Sequence, residues 1–264
     1  MNSFQKVIKY VALALAFLII GSLISIAFEI VSSVSDMFSN EVLTDIEERK
    51  IEDLNILDLD IDVSQTILKI NKGTAFKVET NTSKIKVKSE NGKLSITDKS
   101  GKYIKDKTVI VTIPENYKFR SVTIESGALG AEIEKIIAKS VDFDMGAGKT
   151  VISELIVSNE IEIDGGAGEF IIENGSLNNL DFDMGVGRAE INADITGNSK
   201  IDSGVGKLEI NLPSNVDTYR FKINKGIGSI KLNGENVSDG KIIGSGSSSI
   251  YIDGGVGTID IKTL

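Results

Sequence analysis

Asp183-Met184-Gly185-Val186-Gly187-Arg188 leads into a short alternating strand, Ala189-Glu190-Ile191, and the same phrase keeps returning along the chain. It stands at Asp144–Lys149, Asp164–Glu169 and Asp202–Lys207, and with small changes at Asn224–Ser229 and Asp253–Thr258. Glu125–Ala131 is a looser copy carrying one extra residue. The leading acids Glu125, Asp144, Asp164, Asp183 and Asp202 lie 19, 20, 19 and 19 residues apart, and the next two intervals are 22 and 29. A period near twenty residues marks an architecture of stacked repeats, because one such unit cannot bury its apolar face alone.

Each unit reads as strand, corner, strand. Before the corner, Val141/Phe143, Ile161/Ile163, Leu180/Phe182, Phe221/Ile223 and Ile250/Ile252 alternate with polar residues. After it, Thr150/Ile152, Phe170/Ile172, Ala189/Ile191, Leu208/Ile210, Ile230/Leu232 and Ile259/Ile261 do the same. This two-residue period predicts half-buried strands. The corners hold glycine pairs: Gly146 and Gly148, Gly166 and Gly168, Gly185 and Gly187, Gly204 and Gly206, Gly226 and Gly228, Gly255 and Gly257. These are expected to be structural turn residues. The apolar residue between them (Ala147, Ala167, Val186, Val205, Ile227 or Val256) is expected to point inward. The fold class predicted is all-β, a parallel β-solenoid with rungs of about 19–22 residues.

The chain divides at composition changes. Val7–Phe28 is uncharged from Tyr10 onward and long enough to cross a bilayer, with Lys6 and Lys9 at its N-terminal end. Glu29, Asp36, Glu41 and Asp45 follow it, so the basic end is expected inside and the bulk of the chain outside. Residues 1–6 form a cytoplasmic tip, 7–28 a single-pass signal-anchor helix in the cell membrane, and 29–50 a stalk with helical spacing at Ile30, Val34, Met37 and Phe38. Residues 51–120 are a β-rich N-terminal part that caps one end of the solenoid. Residues 121–264 are the repeats, with Thr258–Leu264 as their last rung or its cap. The stretch between Lys231 and Ser249 reads as an insertion bulging from the stack.

Composition narrows the chemistry. The 264 residues include no His and no Cys, which excludes imidazole acid–base catalysis, thiolate nucleophiles, disulfides and Cys/His zinc sites. A balance of 29 basic to 38 acidic residues, formal net charge −9, argues against nucleic acid as a partner. Gly146-Ala147-Gly148-Lys149-Thr150 looks like the end of a phosphate-binding loop, but the glycine such a loop needs five places before Gly148 is Phe143. No nucleotide and no cofactor is expected. In the calcium-binding β-roll repeat, an Asp would fall on Phe170 and Ile259, which are core positions here.

A column of acids remains: Asp144, Asp164, Asp183, Asp202 and Asp253, with Asn224 substituting once. Turn chemistry, with each side chain accepting backbone N–H bonds at its own corner, explains it better than a linear cation site, since Asn serves equally. Asp142, Glu162 and Asp181 make a partial second column. Every candidate carboxylate pair is explained by the repeat, so no catalytic residue is assigned and the chain is not expected to be an enzyme.

The strand-rich opening, the strand Val109–Ile113 ending at Pro114 and the serial Asp-X-Gly-X-Gly phrases together resemble the bacterial putative-adhesin family of unknown function, the toastrack domain. The resemblance spans about residues 52–264. It implies a β-solenoid of the cell envelope with an adhesin-like binding or scaffolding role, partnered by envelope proteins or wall polymers. It also implies an alternative, an accessory component of envelope-stress sensing that contacts other membrane proteins. It brings no catalytic residues.

Overall fold

The computed structural model describes residues 46–52, 55–98 and 107–264; the expected membrane helix at 7–28 lies outside them. Among the described residues the fold is all-β and the sheet is open, with parallel in-register ladders of the kind a β-solenoid makes. Phe143 pairs with Ile163, Ile163 with Phe182, and Phe182 with Ile201. Past the corner, Ile152 pairs with Ile172, Ile172 with Ile191, and Ile191 with Ile210. One register therefore puts like side chains over like. All of these residues are buried, each worth about 1.5–3 kcal/mol on leaving water, and together they form one continuous core.

The glycine pairs are where the alternation changes phase. Phe143 and Met145 face the core before the corner, and Thr150 and Ile152 face it afterwards. Ala147, expected inward, is only half-buried, as are Ala167, Val186, Val205 and Val256, and Ile227 is 63 % exposed. The residue that fills the inside of the corner is the one before the first glycine: Met145, Met184 or Ser203. The reason is backbone stacking. A Cβ on Gly185 would lie 2.0 Å from the carbonyl oxygen of Gly166, and one on Gly187 would lie 1.9 Å from that of Gly168. Gly187 also has φ 139°, where only glycine is at ease.

Carboxylate caps do not hold these corners. Rung-to-rung backbone bonds do: Met184 N–H donates to the Asp202 carbonyl at 2.9 Å, and Val186 N–H to that of Gly166 at 2.9 Å. The Asp residues enter the corner through their backbone, leaving their carboxylates outside.

The stack is in sequence order only in its middle. At the N-terminal end, Asp58–Val63 pairs with Ser121–Ser126 on one edge and Lys93–Asp98 on the other. Ile67–Gly73 likewise lies between Ala131–Ile133 and Thr108–Pro114. Residues 51–120 thus supply two rungs as well as a cap, with the earlier rung inserted beneath the later. The C-terminal end mirrors this. Ser248–Asp253 lies between Asn198–Asp202 and Tyr219–Asn224, and Val256–Lys262 between Val205–Asn211 and Ile227–Leu232. The last segment of the chain is therefore the penultimate rung, and the Asn224 copy is outermost.

Antiparallel strands close both ends. Ile85–Glu90, Lys77–Thr80 and Glu47–Arg49 cover the N-terminal end, and Glu235–Asn236 and Ile242–Ile243 the C-terminal end. Such covers blunt edges that would otherwise pair with another chain. Glu47–Arg49 falls in the segment given helical spacing by the sequence; it is strand because it pairs with Lys77–Thr80. At the corner of the outermost N-terminal rung, Lys107 donates to Asp98 with both side chains fully buried, and Ser64 Oγ donates to Asp98 at 3.4 Å.

Candidate functional site

Strand alternation leaves every second residue facing water, and the register turns these into rows along the stack, about 4.8 Å per step. On the face before the corner, one row reads Thr97, Asp62, Glu125, Asp144, Asp164, Asp183, Asp202, Asp253, Asn224. The acids expected to form a column do stand in one, extended to Asp62 and ended by an uncharged residue at each extreme. Unit charges at that spacing repel by about 0.9 kcal/mol when water screens them fully, so an exposed row is tolerated.

Where screening is poorer, the row responds. Partial burial pushes the Glu125 carboxyl above its ordinary value, with Asp62 and Asp144 adding to the shift. Burial also raises Asp183, and a hydrogen bond and repulsion from Asp202 raise it further. Lys200 donates to Asp202 at 2.5 Å, and that contact lifts the lysine in turn. No three acids among the described residues converge as metal ligands.

The face after the corner behaves differently. Glu169 bonds both Lys149 at 2.9 Å and Arg188 at 3.0 Å, and Arg188 continues to Glu190 at 2.7 Å and Glu209 at 2.9 Å. Glu209 is completed by Lys207 at 3.1 Å. The Arg188 guanidinium holds Glu209 below the usual carboxylate range. This face neutralises itself, whereas in the acid row only Asp202 carries an ion pair among the described residues.

Two hollows lie on the Asp face. A groove of about 450 Å³ crosses the rungs between Ser121 and Lys200, carrying Asp142, Glu160, Glu162 and Asp181 beside the amides Asn179 and Asn198. It follows a register slip, in which Ala138 pairs with Val157 but Ser140 pairs with Glu160. Further along, a hollow of about 360 Å³ surrounds Arg220, Lys222 and Tyr251.

The sequence's second acid column thus lines the groove. The basic hollow was not readable, because nothing in Tyr219-Arg220-Phe221-Lys222-Ile223 shows that Tyr251 will be its neighbour. Of the two irregularities in the repeat, Gly130 occupies a tight bend at φ 90° beside Leu129 at φ 89°. The insertion after Lys231 contributes Ile242 to the basic hollow.

No protein-family model matches this chain, and no curated protein does. Several solved structures similar to it carry adhesin names. A putative cell adhesion protein from Clostridium sporogenes is 18 % identical, covering 83 % of this chain and 99 % of its own, with TM-score 0.36. A putative adhesin from Bacteroides fragilis is 14 % identical over 82 % of this chain and 95 % of its own, TM-score 0.38. One from Parabacteroides distasonis is 12 % identical over 83 % and 97 %, TM-score 0.39. Those names agree with the family that the repeat resembles. At such identities and TM-scores the likeness bears no weight, and the fold stands on the ladders of this chain.

Proposed function

We propose that this chain is a non-enzymatic, membrane-anchored β-solenoid of the cell envelope, holding a binding or scaffolding face outside the membrane in the manner of an adhesin. One observation carries the reading: the Asp face displays a row of carboxylates of which only Asp202 is ion-paired among the described residues, with an open groove crossing several rungs, while the opposite charges of the next face cancel. A rigid row of repeated groups suits a partner that is itself extended, such as a wall polymer or a strand of another envelope protein. The anchor at 7–28, with its acidic flank, sets the orientation.

The test uses intact cells producing the full chain. External protease should remove residues 46–264 before lysis; survival of the chain until lysis overturns the topology. Sedimentation with purified wall should then weaken when Asp142, Glu160, Glu162 and Asp181 become amides. Binding that ignores those substitutions removes the groove from the reading. Crosslinking that recovers membrane proteins and no wall polymer supports the stress-sensing role instead.

A further inference from the structure

The out-of-sequence rung creates a surface that the repeat alone would not. In register, Asn198, Ser249 and Arg220 stand side by side, and in the next row Lys200, Tyr251 and Lys222 do the same. Had the rungs stacked in chain order, the 198 and 220 strands would be neighbours and neither Ser249 nor Tyr251 would stand between them. The hollow over this grid is lined by donors, cations and the side chains of Ile242 and Ile250, and by no carboxylate.

Arg220 is unusual for this molecule. Of its four arginines, Arg49, Arg120 and Arg188 each contact a carboxylate. Among the described residues Arg220 contacts none, and neither does Lys222. Lys222 Nζ sits 5.3 Å from the centre of the Tyr251 ring, which holds the ammonium over the hollow. Asn224 Nδ2 donates to the Tyr251 hydroxyl at 2.5 Å, which leaves the phenol proton free to donate outward. The acid row is near, at Asp202 and Asp253, but Lys200 already engages Asp202. The Arg220–Ser249 corner lies four residues along the strands from Asp253, roughly 13 Å away.

We propose that this hollow binds the phosphate group of a phosphodiester. A planar guanidinium, an ammonium, two hydroxyls and an amide present donors to one small volume, which suits a tetrahedral oxyanion better than a cation or a neutral sugar. Arg220 takes two phosphate oxygens, Lys222 supplies a point charge, and Ser249 and Tyr251 donate to what remains. The inference rests on the Asp face being a binding face; it shares Asn198 with the acidic groove but uses none of that groove's carboxylates.

The experiment titrates the full chain in neutral detergent with inorganic phosphate, with the soluble diester glycerophosphoglycerol, and with phosphatidylcholine vesicles containing or lacking phosphatidylglycerol. Amide resonances of Asn198, Ser249 and Tyr251 should shift saturably with a diester, and less so as salt is raised. Arg220→Gln and Lys222→Gln should each weaken binding roughly tenfold, the usual loss for a charged hydrogen bond. Both side chains are exposed, and unchanged melting temperatures will show that the variants are folded.

Saturation by glycerophosphoglycerol identifies a soluble diester, and saturation only by phosphatidylglycerol vesicles identifies a lipid headgroup. Either supports the proposal if Arg220→Gln weakens it. Binding of inorganic phosphate alone, binding indifferent to both substitutions, or no saturable shift overturns it. The amide variants of Asp142, Glu160, Glu162 and Asp181 should leave diester binding intact, so loss of wall sedimentation in those variants cannot be mistaken for failure here.

Discussion

The middle of the stack and its two ends are built by different rules. Between Glu125 and Lys207 each rung lies on the one before it in sequence, and contacts are set by a spacing of 19 or 20 residues. At each end a rung is slipped between two others, so the outermost parallel strands are Lys93–Asp98 and Tyr219–Asn224 while the chain's first and last rungs lie one layer inside. A repeat propagates by nearest-neighbour contact and has no internal reason to stop. Insertion followed by antiparallel cover supplies the stop, and ties each terminal layer to the stack from both sides.

The largest expected effect breaks that arrangement directly. Ending the chain before Ser248 removes an interior rung, not the last one. Hydrogen exchange should then show lost protection at Val205–Asn211 and at Tyr219–Leu232, on both sides of the missing layer. Retained protection at Tyr219–Leu232 would mean that the outer rung had simply closed onto Asn198–Asn211, and the two ends would need no insertion.

Next comes the N-terminal corner. Lys107→Ala leaves the Asp98 carboxylate buried without its ammonium, and the cost should be about 3–5 kcal/mol by denaturant midpoint. Lys107→Met with Asp98→Leu should recover most of it, since apolar pairs of like volume replace buried ion pairs well. If the double variant is as unstable as the single, the pair serves specificity at that end more than charge compensation.

In the middle the controlling contact is backbone against backbone. Gly187→Ala puts a methyl 1.9 Å from the Gly168 carbonyl oxygen at φ 139°, and should cost about 3 kcal/mol. Gly234→Ala in the C-terminal insertion has φ 83° with nothing within 4 Å, and should cost about 1 kcal/mol from the dihedral alone. Equal costs at the two sites would erase the distinction between a stacked corner and an open turn.

This contrast also explains what could be read in the chain. The strand alternation, the twenty-residue period and the glycine corners follow from local spacing, so the middle was legible down to which Phe and Ile face the core. The phase change at Met145 and Met184 was not, because it depends on how closely one rung's Gly–Gly backbone approaches the next. Apolar character misled there: Val186 is apolar yet only half-buried, while Ser203 is polar yet buried. The two insertions were invisible for a similar reason. Asn224 and Asp253 are both good copies of the phrase, and only the fold shows that the Asn224 rung is the outer one, covered by the Glu235–Ile243 segment. The acid row was found from spacing, whereas the cationic grid exists only through that reordering.

The smallest effect sets the two faces of a single rung against each other. Asp183 has its carboxyl raised above the ordinary 3.8 by burial, then by Asp202, so its ionised form is disfavoured in the fold. Any stabilisation it gives is complete below pH 3.8 and is lost as pH rises through the raised folded value. Glu209 is lowered below its ordinary 4.5 by Arg188, and its contribution has the opposite course, present above pH 4.5 and lost as pH falls through the depressed value. Asp183→Asn should therefore stabilise the protein by about 0.5 kcal/mol at pH 7, the scale of one relieved like-charge pair on a sheet, and by nothing at pH 3. Arg188→Ala should destabilise at pH 7 by about 1 kcal/mol, an effect that shrinks on acidification because its carboxylate partners become neutral. Urea midpoints of both variants at the two pH values give the signs. If Asp183→Asn destabilises at pH 7, the acid row is held together by something other than its own backbone, and a bound cation becomes the first thing to look for.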